Sequence, residues 1–303
     1  MENILKTVGI TKKFSKKVAV SDVNMTIKKG DIYGFIGRNG AGKTTLIKML
    51  VGLSQPTSGS IELFDDKNLS KVRHKIGTVI EAPAFVPHLS AKQNMLIQWK
   101  LVGSKDKSVI DEILNLVGLG NVGNKKAKKF SLGMKQRLGI AMTLLGEPEF
   151  LILDEPTNGL DPEGIIEMRN MLKKLNQEKG LTILISSHIL SELSKLATRY
   201  GIINDGVLIE EFTEQELIER CQSGLIVKVN DVTKASEVLR SELNTDKFSV
   251  LNENTLEVFD FVDKPGQVNT VLAKNDVIVD SISTKSVDLE EYFMSVIGGN
   301  KNA

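Results

Sequence analysis

Uninterrupted apolar runs, rather than alternating ones, set the rhythm of the first 212 residues. DIYGFI (31–36), IGTVI (76–80), FLILD (150–154) and LTILISSHIL (181–190) each end at a glycine, an acid or a small polar cluster. Runs that are apolar at successive positions suit strands covered on both faces, as in the parallel sheets of α/β proteins. Helix-like stretches such as TLIKMLVGL (45–53) and SAKQNMLIQWKLVG (90–103) lie between them. In the second stretch Met95, Leu96 and Trp99 form a stripe that is core in part, with Trp99 either buried or lining a groove. YGIIND and GVLIEEF (200–212) flank Asp205-Gly206, a hairpin turn dipeptide.

A polar, helix-like piece, TEQELIERCQSG (213–224), separates this region from a second one with a different order. From Leu225 the pattern reads strand, helix, two strands around 252–254, helix, strand and a final helix, VDLEEYFMSVIG. That β-α-β-β-α-β order predicts a small α+β, ferredoxin-like sandwich. The expected division is therefore 1–212, a linker at 213–224, and an accessory domain at 225–303. The pattern of the accessory region contains no metal-ligand spacing, triad or glycine-rich loop.

The chemistry lies in the first region. GRNGAGKT (37–44) fits G-x-x-x-x-G-K-[ST] and sits between a buried strand and a helix, the context in which this motif cradles phosphates. Gly37, Gly40 and Gly42 let backbone N–H groups turn toward an anion at the helix start, Lys43 reaches the β- and γ-phosphates, and Thr44 offers a hydroxyl to Mg²⁺. Arg38, Asn39, Ala41 and Thr45 complete the nucleotide-binding segment. FLILDEPTNGLDP (150–162) is an apolar strand that delivers two adjacent acids to its carboxyl end. Asp154 is placed in the Mg²⁺ shell and Glu155 beside the attacking water. Side chains alternate along a strand, so both acids serve one site only if the chain turns sharply after Glu155, at Pro156.

KFSLGMKQRLGIA (129–141) carries a resemblance to ATP-binding-cassette (ABC) proteins, whose signature is usually LSGGQ and stands here as FSLGM. The resemblance implies a P-loop nucleotide-triphosphatase fold with a mixed sheet and a helical subdomain at about 85–145. It implies also that ATP and Mg²⁺ are bound between two cassettes, with Ser131 and Gly133 meeting the γ-phosphate held by the other subunit. Leu132 and Met134 depart from the pattern. As structure alone, Ser131 caps a helix. By the same resemblance His188 is the switch histidine at the γ-phosphate, Asp161 lies in the loop that crosses between subunits, and Phe14 is either the aromatic under adenine or a core anchor. Glu81 stands where most members have a glutamine. With Pro83 and Phe85 it resembles the bacitracin-export and lantibiotic-immunity ATPases, in which a glutamate stands at this place; the usual glutamine touches Mg²⁺ and the attacking water and faces the membrane partner, which implies the same place for Glu81. A solvated loop charge is the other reading of Glu81.

Composition narrows this further. Residues 1–212 carry 30 basic against 22 acidic residues, a net +8, and the remainder 9 against 16, a net −7. A basic nucleotide domain suits a triphosphate and an anionic membrane leaflet, and no nucleic-acid partner is expected. The lysines at 125, 126, 128 and 129 are a solvated loop or a small basic patch. A single cysteine, Cys221, cannot form an internal disulfide and suits a reducing cytosol. No segment approaches the roughly 18 apolar residues of a membrane span. The expected protein is thus a cytoplasmic ATPase on the inner face of the membrane. It would act as a homodimer or beside a paired cassette, with separate permease subunits. By the resemblance it would export antimicrobial peptides of the bacitracin or lantibiotic kind; the alternatives are an exporter of another lipid-like or ionic substrate and a soluble cassette acting on ribosomes or DNA, though no long heptad run lies between Leu53 and Phe130.

Overall fold

Side chains on both faces of the central strands are apolar, so these strands are covered on both sides. The computed structural model describes residues 2–220, 223–285, 292–294 and 296. Cys221 and residues 286–291, the start of the expected last helix, lie outside the described residues. The chain divides into two units, Met1–Glu214 and Gln215–Ala303.

In the first unit the strands are β1 (Asn3–Phe14), β2 (Lys17–Val23), β3 (Thr26–Lys28), β4 (Ile32–Ile36), β5 (Ser58–Leu63), β6 (Ile76–Val79), β7 (Phe150–Asp154), β8 (Thr182–Ser187), β9 (Arg199–Asn204) and β10 (Val207–Thr213). Six of them form one sheet in the order β10-β9-β4-β8-β7-β6. All neighbours in it are parallel except the β9–β10 hairpin. Every residue of β4, β7 and β8 is buried, which accounts for their lack of alternation. A second, antiparallel sheet orders β2-β1-β3, with β5 also on β1. The two sheets share one core that includes Ile10, Tyr33, Phe35, Leu46, Phe150 and Leu184.

Helices connect the parallel strands. They are α1 (Lys43–Leu50), α2 (Leu69–Val72), α3 (Ala91–Val102), α4 (Val109–Leu116), α5 (Leu132–Leu144), α6 (Pro162–Lys179) and α7 (Leu190–Leu193). Ser90 and Gln93 form a reciprocal capping box at the start of α3, and Gly103 ends it in the left-handed conformation. Met95 is buried, whereas Trp99 is half-buried and donates its indole N–H to the Asp106 carbonyl at 2.8 Å. The four lysines before α5 are all exposed.

In the second unit α8 (Glu214–Arg220), which crosses the division, precedes β11 (Gly224–Val229), α9 (Val232–Leu243), β12 (Phe248–Asn252), β13 (Thr255–Val258), α10 (Pro265–Lys274) and β14 (Val279–Lys285). Its sheet is wholly antiparallel and ordered β12-β13-β11-β14. Leu225, Val227, Val229, Leu256 and Val258 pack with Val238 and Leu239 of α9 and Val268 and Leu272 of α10 in a core of the unit's own.

One polar contact is embedded at the β4 end of the first core. The fully buried Tyr33 hydroxyl donates to Glu211 Oε1 at 2.7 Å. Burial pushes the Glu211 carboxyl above its usual range, against the opposing pull of the Tyr33 hydroxyl and the Arg199 charge. Its folded-state pKa therefore exceeds the unfolded value, and the stability linked to its proton is present at acid pH and lost as pH rises through the folded value. Glu211→Gln keeps an acceptor for Tyr33 without the charge. Urea unfolding at pH 5 and pH 8 should show the variant gaining on the wild type at the higher pH. A difference that is constant with pH would contradict this account.

Candidate active site

The carboxyl ends of parallel strands lie along one edge, and here that edge gathers the sequence motifs. β4 leads into the loop 37–42 and α1, β7 ends in Asp154, β8 leads to His188, and β6 leads to Glu81.

The loop wraps closely on β2. Gly42 has φ 112°, and a Cβ there would lie 2.7 Å from the Ala19 carbonyl oxygen, so both its conformation and its surroundings require glycine. Lys43, only 5 % exposed, needs partners for its charge and finds three. Its ammonium donates to the carbonyls of Gly37 at 2.6 Å and Arg38 at 3.2 Å, and pairs with Glu155 Oε1 at 3.0 Å. The next residue, Thr44, donates its hydroxyl to Asp154 Oδ2 at 2.7 Å.

Asp154 is also 5 % exposed, and its second oxygen accepts from the Ser186 hydroxyl at 2.7 Å. The same Ser186 oxygen accepts from the Glu155 backbone N–H at 2.9 Å. Alternation along β7 would send Glu155 away from Asp154, but Glu155 has φ 51°, a left-handed conformation costly for this residue type. The reversal thus falls at Glu155 itself, not at Pro156 as the sequence pattern predicts. It brings the carboxylate to Lys43 on one oxygen and, on the other, to His188 Nδ1 at 2.6 Å.

A cavity of about 750 Å³ opens over these groups. Asn39, Gly40, Gly42, Lys43, Thr44 and Thr45 line it, as do Asp154 and Glu155. Phe14, at the end of β1 and 52 % exposed, and Glu81 also line it. Lys12 Nζ sits 5.0 Å from the Phe14 ring centroid. Glu81, also left-handed at φ 62°, pairs with Lys48 Nζ of α1 at 2.6 Å while 66 % of its side chain is exposed. Gly37, Arg38 and Ala41 shape the loop; Gly37 and Arg38 supply carbonyls to Lys43.

Ser131, Gly133 and Asp161 are elsewhere. They line a second cavity of about 420 Å³, and none of them lines the first. Ser131 caps α5 by accepting from the Met134 N–H at 3.2 Å, and Asp161 caps α6 by accepting from the Gly164 N–H at 3.1 Å. Several further groups support or line the first cavity, with Ser186 buried behind Asp154 and Glu155. Ser186 was hidden inside an apolar run, although a serine at the carboxyl end of a buried strand is itself a signal. Gln136, within the signature segment, is buried, lines the cavity, and has a side-chain oxygen without a hydrogen-bond partner among the described residues. Asn158 and Asp205 also line it.

A phosphate loop at the end of a parallel strand, facing two strand-end carboxylates, defines a P-loop nucleotide-triphosphatase site. The chain matches the profile of the ABC transporter family over residues 20–158. It is 44 % identical to the bacitracin transport ATP-binding protein BcrA of Bacillus licheniformis, with 99 % of each chain covered. It is 47 % identical to the lantibiotic transport ATP-binding protein SrtF of Streptococcus pyogenes over 69 % of this chain and 90 % of that one. Its fold superposes on a dimeric, post-hydrolysis ATP-binding cassette, MJ0796, bound to ADP and Pi, with a TM-score of 0.62 and 27 % identity over 69 % of this chain and 98 % of that one. This chain belongs to the ABC transporter family as an ATP-binding, ATP-hydrolysing subunit. Among the described residues no helix is long and apolar enough to cross a membrane.

Because Ser186 ties both acids, its removal should be felt twice. Ser186→Ala leaves Asp154 Oδ1 and the Glu155 N–H without this partner, at a cost of about 1–3 kcal/mol. Urea unfolding should register that loss together with a lower kcat for ATP. Unchanged stability and turnover would mean that Ser186 positions neither acid.

Proposed function

We propose that this chain powers an exporter by closing head to tail with a second copy, or a close relative, on two ATP molecules. Each site is built from 37–45 of one chain and Ser131 and Gly133 of the other. The observation that carries this is that Ser131 and Gly133 of the signature do not line the cavity that holds Lys43 and Thr44 in their own chain, although Leu132 between them borders both cavities. Gly133 supports it. A Cβ there would meet nothing closer than Leu160 Cδ2 at 3.7 Å, so packing within this chain does not demand glycine. Close approach by a partner's phosphate does.

The Thr44 hydroxyl and the Asp154 carboxylate are hard oxygen donors side by side, and they fit Mg²⁺, which is usually held by one or two carboxylates together with substrate phosphates. When bound, the metal offsets phosphate charge. Glu155 orients the attacking water and accepts its proton, with His188 holding the carboxylate from the other side. Glu81 reports the γ-phosphate end of the cavity to the membrane partner. No phosphoryl adduct forms in this scheme, in which positioning and charge neutralisation lower the barrier.

The partner is a permease, and the protein works on the inner face of the membrane. Ile97 and Leu101, one turn apart on α3, are both exposed, a small apolar strip suited to a helix of the membrane subunit. Bacitracin- or lantibiotic-like peptides are the proposed cargo, by similarity to BcrA and SrtF and by the glutamate at position 81.

Glu155→Gln should retain ATP affinity, slow hydrolysis by roughly 10² or more, and trap a dimer in ATP. A monomer at saturating ATP on size-exclusion chromatography would count against the head-to-tail arrangement. Glu81→Gln changes charge at nearly constant shape. ATPase rate against Mg²⁺ concentration, with and without the permease, should shift together with peptide resistance in cells. If metal dependence, coupling and resistance all stay as in the wild type, Glu81 is a solvated loop charge.

A further inference from the structure

Asp205 has no role in the scheme above, yet it lines the same cavity. Its placement follows from the β9–β10 turn. Asp205 itself is left-handed at φ 46°, and Gly206 follows at φ 83°. The turn is fastened at two points: the Gly206 N–H donates to the Ala41 carbonyl at 2.9 Å, and the Gly206 carbonyl accepts from the Ser21 N–H at 2.8 Å. A Cβ on Gly206 would lie 2.8 Å from the Ala19 carbonyl oxygen, so the turn rests directly on β2. Asp205 therefore stands on a fixed support.

Position along β2 tells which part of a nucleotide it meets. Phe14 pairs with Lys17 at the hairpin end of β1 and β2, and Phe14, Lys17 and Val18 line the cavity there. Two residues further on, Ala19 touches the phosphate loop, since its carbonyl lies 2.7 Å from where a Gly42 Cβ would be. Asp205 borders the cavity, and its neighbour Gly206 rests on Ala19, the β2 residue between the exposed Phe14–Lys17 end, where a base would stack, and the phosphate loop. A carboxylate is repelled by phosphate and accepts hydrogen bonds only. The donors that a ribonucleotide offers at this level are the ribose hydroxyls, which acidic side chains read in other nucleotide folds.

We infer that Asp205 binds the ribose diol of ATP and makes the site selective for ribonucleotides over deoxyribonucleotides. The inference rests on the first cavity being the ATP site. Hydrogen bonds to a charged acceptor predict a preference of about 10- to 100-fold.

The test measures Kd and kcat/KM of the full chain for ATP, 2′-deoxy-ATP and 3′-deoxy-ATP. Wild type should favour ATP over both deoxy forms. Asp205→Asn, which tolerates the left-handed turn, and Asp205→Gly, which keeps the turn and removes the side chain, should weaken ATP toward the deoxy level. Both variants should leave the deoxy forms nearly unchanged, and melting temperatures should confirm that they fold. Equal use of ATP and 2′-deoxy-ATP by wild type, or an equal loss for all three nucleotides in both variants, overturns the inference. Lys43→Ala separates the two levels of argument. If it abolishes binding of all three while the deoxy ratio ignores Asp205, only the role of Asp205 falls. If it retains full ATP affinity, the cavity is not the ATP site and both readings fall.

Discussion

A lysine side chain that is only 5 % exposed must have its charge met where it stands, and the arrangement around Lys43 follows from that requirement. Two loop carbonyls and Glu155 meet its charge. Glu155 can do so only because the chain reverses at that residue, and the reversal is held by the Ser186 oxygen on its N–H. Ser186 in turn holds Asp154, which engages Thr44 next to Lys43. The interactions close a circuit linking the ends of β4, β7 and β8.

The circuit depends on strands that run the same way. Because β6, β7, β8 and β4 are parallel, their carboxyl ends lie along one edge, and four stretches far apart in sequence meet there. An antiparallel arrangement would have sent half of them to the opposite edge. Full burial of β7 places the same demand from another direction, since acids are tolerated at its end and not within it. Site and core thus constrain one another.

The second unit follows separate rules. It has its own core and an antiparallel sheet, and among the described residues none of it lines the nucleotide cavity.

Much of this was legible in the linear chain. Continuous apolar runs identified the buried strands; the phosphate loop Gly37–Thr44 and the acids Asp154 and Glu155 stand out because phosphate binding calls for particular residue types at short, fixed spacings, whereas His188 is singled out only by the family resemblance. Contacts that form across the fold left little trace. Ser186 lies in an otherwise apolar run and Asp205 in a turn dipeptide, and neither pattern names a partner. Local pattern placed the reversal at Pro156, because a left-handed glutamate is a cost that only surrounding contacts can offset. The split of Ser131, Gly133 and Asp161 from the phosphate loop likewise depends on how α5 and α6 sit against the sheet. Sequence records what each segment needs in order to fold locally, so it determined the elements and the chemical groups; tertiary packing decided which of those groups face one another.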